Sequence, residues 1–188
     1  MEPKAQKGLF GEELAGTKTE QNLHTALSGE SQAYLRYQWF EKKAKEEGYV
    51  EISQLFRDTA ANEKEHAELW FKYLGGRGTT ERNLEAAASG EHFEWETMYS
   101  EFEQTAREEG FSTLADLFAR VASIEKQHEQ NYQQQLEKVK NGTVFTSNSE
   151  ETKWICLNCG YIATGKEPPK NCPTCFHAQG YFKQYQEN

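Results

Sequence analysis

Residues 63–66 read Glu-Lys-Glu-His, and residues 125–128 read Glu-Lys-Gln-His. On a helix, positions i and i+3 lie on nearly one face, so each stretch sets a carboxylate beside an imidazole. Which face they share decides their meaning. Glu63 continues the apolar series Ile52, Leu55, Phe56, Thr59 and Ala60 and leads on to Ala67, Trp70 and Leu74. Glu125 continues Leu117, Phe118, Val121 and Ala122. Both motifs are therefore expected to point into a core. A single Glu-x-x-His on a helix is ordinarily a solvated pair, but two copies on two apolar stripes are not accounted for that way.

Working outward, four segments carry helical periodicity. The first runs from about Thr19 to Glu47 with Leu23, Ala26, Leu27, Ala33, Tyr34 and Tyr37 on one side, started by a capping box at Thr17 and Glu20 and stopped at Gly48. The second extends from Ile52 to Leu74, before Gly75-Gly76. The third shows Leu84, Ala87, Ala88, Trp95, Met98 and Phe102 and ends at Gly110; the fourth runs from Leu114 to Leu136 and ends near Asn141-Gly142. No proline falls between Glu51 and Asn141, which predicts uninterrupted helices. Segments one and two are echoed by three and four. Leu27-Ser28-Gly29-Glu30 returns as Ala88-Ser89-Gly90-Glu91, and AKEEGY at 44–49 returns as AREEGF at 106–111. Glu30 and Glu91 are 61 positions apart, Glu63 and Glu125 62 apart. Two helix hairpins of similar design predict an all-α four-helix bundle over residues 17–142, with residues 1–16 as an N-terminal extension.

The inner stripes hold further carboxylates. Glu30 follows Leu23, Ala26 and Leu27, while Glu91 follows Leu84, Ala87 and Ala88, with Glu94 one step further along. Five carboxylates facing one core are prohibitively unfavourable without counter-charge. Two divalent cations supply it, since carboxylates bridge metal ions and imidazole suits iron, zinc and manganese. Tyr37 and Tyr99 lie one or two turns beyond Glu30 and Glu94, placed either to hydrogen-bond those carboxylates or to pack in the core. His24, His92 and His177 lack the paired arrangement and read as surface residues or as neighbours of the ligands.

After the polar linker 143–152 the texture changes. Residues 153–188 lose helical periodicity and contain all four cysteines: Cys156 and Cys159 in one Cys-x-x-Cys pair, Cys172 and Cys175 in another. A segment this short cannot stabilise itself by a core alone and needs a staple. Four thiolates at this spacing predict a tetrahedral site for iron or zinc, which their ligand chemistry does not distinguish. A redox-active dimetal site upstream needs an electron source, which favours a one-electron iron carrier over a zinc ribbon.

The net charge of −9 repels phosphate backbones and anionic lipid, so nucleic acid and membrane surfaces are not expected partners. The first 16 residues lack the apolar run of a secretory leader. Together with clustered cysteines, this predicts a reducing, cytoplasmic location.

One Glu from each of two helices plus Glu-x-x-His from each of two others is the donor set of ferritin-like di-iron bundles. With Gly29-Glu30-Ser31, Gly90-Glu91-x-x-Glu94, Cys159-Gly160-Tyr161 and Cys172-Pro173, the chain resembles the rubrerythrin family from about Thr17 onward. The resemblance implies a ferritin-like bundle followed by a small rubredoxin-like domain of β and loop structure. It further implies two iron ions in the bundle, one iron on the four cysteines, and no haem. The implied activity is a peroxidase reducing hydrogen peroxide to water, in oxidative-stress defence, with electrons from a separate NAD(P)H-dependent reductase. By resemblance Glu63 and Glu125 bridge the irons, Glu30 and Glu91 are terminal ligands, and His128 binds one iron. The other iron exchanges between Glu94 when ferric and His66 when ferrous. A homodimer is implied, with exchange of helix pairs between chains left open. The competing functions are a ferritin-type iron oxidase or storage protein and a non-catalytic zinc-ribbon binding module.

Overall fold

The computed structural model describes residues 13–185; most of the N-terminal extension and the last three residues lie outside them. The chain divides into two compact units between Gly78 and Thr79.

The first unit is a hairpin of α1 (Lys18–Glu46) and α2 (Val50–Tyr73). Thr17 caps α1: its hydroxyl accepts from the Glu20 N–H at 3.1 Å. Glu20 reaches back, but to the N–H of Gly16 (2.7 Å) and not to that of Thr17, whose own N–H is taken by the carbonyl of Leu14. At the other end Gly48 turns left-handed (φ 83°), which lets Tyr49 N–H close onto Ala44 O at 2.9 Å. The seam between the two helices is made of small buried residues, Ala33, Ala44, Ser53 and Ala60. Small side chains there let the backbones approach and leave the bulkier residues to one side: Leu55 is 63% exposed.

The second unit opens with α3 (Thr80–Phe93), capped by the Thr79 hydroxyl, and continues through a π-helical turn (Glu94–Met98) into α4 (Tyr99–Glu108). These pack against α5 (Ser112–Lys140), with Ala88, Ala106, Ala115 and Leu136 buried. Leu117, the repeat partner of Leu55, is 54% exposed. The four expected helical segments are thus present, but the third is not uninterrupted. A π turn accommodates one surplus residue and needs no proline. The repeat spacing locates that residue: Glu30 and Glu91 are 61 apart, whereas Tyr37 and Tyr99, and Ala44 and Ala106, are 62 apart. The consequence is visible in the packing. Tyr37, Phe40 and Phe56 form a ring cluster with centroids 5.5–6.2 Å apart, and Tyr99, Phe102 and Phe118 reproduce it at 5.7–6.1 Å. The inserted residue is absorbed before Tyr99, so both the carboxylate and the aromatic registers are kept.

The same unit ends in an antiparallel sheet, ordered β2-β1-β3, of β1 (Lys153–Cys156), β2 (Ile162–Thr164) and β3 (Phe182–Gln184). Its core is Trp154, Cys156, Cys172 and Phe182. Two backbone knuckles carry the cysteines. Gly160 N–H bonds to Cys156 O, and Phe176 N–H to Cys172 O. Both knuckles need a left-handed residue after the second cysteine. The first uses Gly160 (φ 77°) and the second Phe176 (φ 62°), whose ring is 80% exposed. A left-handed non-glycine residue costs about 1–2 kcal/mol, partly offset by glycine's larger entropy loss on folding. Phe176→Gly is therefore expected to stabilise the small domain by about 0.5–1 kcal/mol, read as a higher temperature for loss of its metal-site absorbance.

Candidate metal centres

The knuckles bring four sulfurs together. Sγ of Cys156 lies 3.7 Å from Sγ of Cys175, and Sγ of Cys159 lies 3.6 Å from that of Cys172. All four fall within 4.8 Å of one another. Four sulfurs arranged tetrahedrally about 2.3 Å from a metal are about 3.8 Å apart, so the cluster fits one ion. The protons tell the same story. The N–H of His177 draws the Cys175 thiol down to about 6. Tyr161 N–H favours the Cys159 thiolate, but desolvation of the sulfur and its three sulfur neighbours outweigh it and push Cys159 up to about 12. One thiol ionises easily and holds another protonated, a conflict that a central dication removes.

Each helix hairpin carries its own oxygen and nitrogen cluster. In the first, Glu30 comes from α1, with Glu63 and His66 from α2. Nδ1 of His66 is 2.9 Å from Glu63 Oε2 and 4.0 Å from Glu30 Oε1. In the second, Glu91 comes from α3, with Glu125 and His128 from α5. Nδ1 of His128 is 2.6 Å from Glu125 Oε2 and 3.6 Å from Glu91 Oε2. In both, all donor atoms lie within 4.8 Å. The carboxylates are half-buried and each imidazole is exposed on its own hairpin.

These groups crowd one another as negative charges do without a cation. The carboxyl of Glu30 is raised above its ordinary range, first by a hydrogen bond with Glu63, then by burial and the Glu63 charge, with His66 opposing. Glu91 is raised first by burial, then by its hydrogen bond to Glu125, with the charges of Glu125 and Glu94 adding and His128 opposing. A divalent ion would relieve this crowding of carboxylates, so the donor set fits metal.

Glu94 is the first residue of the π turn and lies outside the tight second cluster, yet its charge acts on Glu91 and on Tyr99. The Tyr99 hydroxyl is raised by burial first, then by Glu94 and Glu125. Tyr37 packs its ring against Phe40 and Phe56. His24 is exposed, while His177 stacks edge-on against Tyr181 and bonds Cys175 O. His92 bonds a residue the sequence reading passed over, Glu129, whose carboxyl is drawn below its usual range first by the Trp95 indole N–H and then by His92. The signal for Glu129 was its position four residues after Glu125, on the same stripe of α5.

The rubrerythrin family model matches residues 21–136, and that of the rubrerythrin rubredoxin-like domain matches residues 154–183. The chain belongs to the rubrerythrin family. A rubrerythrin of Porphyromonas gingivalis is 43% identical over 97% of this chain and 97% of its own. Rubrerythrin-1 of Clostridium acetobutylicum is 43% identical over 93% of this chain and 98% of its own, and the rubrerythrin of Nitratidesulfovibrio vulgaris is 41% identical over 90% and 95%. Both oxygen-rich clusters fall inside the first matched region and all four cysteines inside the second. The two kinds of cluster are therefore the rubrerythrin di-iron donors and a rubredoxin-like four-cysteine iron site. The expected class, four long helices followed by a metal-stapled sheet domain, is the one observed.

Proposed function

We propose that this rubrerythrin is a non-haem peroxidase that reduces hydrogen peroxide to water in oxidative-stress defence. Its electrons would pass from a separate NAD(P)H-dependent reductase through the four-cysteine site. The observation that carries the reading is the pairing, in one chain, of two Glu-Glu-His clusters with a sulfur site whose spacing suits a one-electron carrier. The balance is H2O2 plus two electrons and two protons giving two waters. Bound ferrous ions supply the two electrons at one place. Glu30, Glu63, Glu91 and Glu125 would neutralise the charge of two such ions, with Glu63 and Glu125 shared between them. Glu94 would add a fifth negative charge suited to the ferric pair, while the neutral imidazole of His66 would suit the ferrous one. His128 would hold iron in both.

The exposed apolar rows around Leu55 and Leu117 support completion of a four-helix bundle, and we place the working form as a homodimer. Clustered, unpaired cysteines favour a reducing cytoplasm. Among the described residues, no helix is long and apolar enough to cross a membrane.

Stopped-flow mixing of the fully reduced protein with peroxide and, separately, with dioxygen tests the reading. Peroxide is expected to oxidise both centres faster; a much faster reaction with dioxygen would replace the peroxidase by a ferritin-type oxidase. Glu94→Ala is expected to slow peroxide turnover by about 10-fold while leaving the small domain's visible spectrum unchanged.

A further inference from the structure

We infer that Glu129 is a positioning residue: by holding the Trp95 indole it pins the π turn and so sets the direction of Glu94. The inference rests on the reading of Glu94 as an iron ligand. Glu129 projects from α5, its side chain only 12% exposed. Its Oε2 accepts from Trp95 Nε1 at 2.6 Å. Its Oε1 meets His92 Nδ1 at 3.1 Å and accepts from Gln133 Nε2 at 2.7 Å. Trp95 is the neighbour of Glu94, and His92 the neighbour of Glu91. One carboxylate on α5 thus holds the residue beside Glu91 on α3 and the residue beside Glu94 in the π turn.

The π turn makes such an anchor necessary. A surplus residue in a helix is not tied to one place, and its hydrogen bonds are poorer than those of the α-helix. Moving it past Glu94 rotates that side chain by about 100° about the axis. Other ties are weaker: within the helix Ser100 Oγ donates to Trp95 O at 3.1 Å, and from α5 Lys126 Nζ sits 4.3 Å from the centre of the Trp95 ring. The bond between the Trp95 indole and an ionised, mostly buried acceptor is the strongest tie between the turn and a neighbouring helix.

The internal repeat provides a control within the molecule. The first hairpin has no π turn, and Ala33 stands where Glu94 stands in the second. There His92 is replaced by Ser31, Trp95 by Tyr34, Glu129 by Ala67 and Gln133 by Phe71. The anchor exists only in the hairpin that carries the surplus residue and the fifth carboxylate.

Amide hydrogen exchange over residues 92–100, in metal-free and in iron-loaded protein, tests this with Glu129→Ala, Glu129→Gln and Trp95→Phe. Glu129→Ala and Trp95→Phe are each expected to speed exchange across residues 94–99 by about 10-fold or more, with α1 and α2 unchanged. Glu129→Gln keeps an oxygen for the indole and is expected to stay within about 3-fold of the parent. In the loaded protein, kcat for peroxide should fall about 10-fold in Glu129→Ala and Trp95→Phe at unchanged KM, and recover in Glu129→Gln. Unchanged exchange in Glu129→Ala overturns the inference. So does faster exchange in Glu129→Ala without it in Trp95→Phe, because the residue would then act by packing alone. Trp95→Phe removes the N–H donor while keeping an aromatic ring, and covers the case in which Glu129→Ala does not fold. The exchange readout does not depend on peroxide chemistry, so an anchored turn in a protein without peroxidase activity would remove the functional reading and leave the anchor standing.

Discussion

Cys172→Ser is expected to remove the iron of the small domain and the fold of that domain together. The reason is that its metal site and its core are the same object. Its core cluster is Trp154, Cys156, Cys172 and Phe182, and two of these four would be ligands. The sheet has strands of only three or four residues and cannot stand on such a core. Metal binding at a structural four-ligand site is worth about 10–16 kcal/mol, which is folding free energy for a domain this small. Serine offers a hard oxygen in place of a thiolate, at a position that is fully buried. Iron content should fall from about three to about two per chain, with loss of the red absorbance and of amide protection across β1–β3. Far-UV helicity should be retained. Turnover driven through the reductase should drop by about 100-fold or more, while a single turnover of chemically reduced protein with peroxide stays within about 3-fold of the parent. A parallel loss of single turnover would show that the small domain does more than deliver electrons.

Most of the fold was legible because its signals are local. The apolar stripes, the Thr17 cap, the glycine stops at Gly48 and Gly110, and the cysteine spacing each act within a few residues. The π turn was written in the sequence as well, in the change of repeat spacing from 61 at Glu30 and Glu91 to 62 at Tyr37 and Tyr99. It escaped reading because the absence of proline speaks only to breaks, and an insertion leaves apolar periodicity intact on either side. Glu129 was hidden for a different reason. A glutamate beside a ligand histidine has the same sequence appearance whether it meets water or an indole from another helix; only the packing of α3 and the turn against α5 distinguishes the two. Phe176 was likewise unmarked, since a left-handed conformation is read from glycine and asparagine and gives no sign when an aromatic residue bears it.

Glu125→Ala is the second large effect, and it distinguishes a dinuclear centre from two separate sites. If the Glu30–Glu63–His66 and Glu91–Glu125–His128 clusters each held a metal alone, deleting Glu125 would remove one iron and leave the other with all its donors. If Glu125 bridges two ions, its loss withdraws a ligand from both. The remaining carboxylates then balance the cation charge less well, and only one shared anion, Glu63, is left between two ions of like sign. The expected result is loss of both bundle irons, leaving about one iron per chain in the four-cysteine site, and a fall in peroxide turnover of about 1000-fold. Glu63→Ala should match it closely, because the repeat gives Glu63 the same place in the first hairpin that Glu125 has in the second. The metal-free fold should tolerate either change. Glu30 is raised first by its hydrogen bond with Glu63, and Glu91 first by burial and then by its bond and charge interaction with Glu125, so removing the partner relieves crowding in the empty cluster and lets the remaining carboxyl return part-way toward its ordinary range. Greater thermal stability without iron, combined with failure to retain it, is the signature of a residue kept for charge balance around two ions and not for packing. Retention of one bundle iron per chain in Glu125→Ala would instead make the two clusters independent.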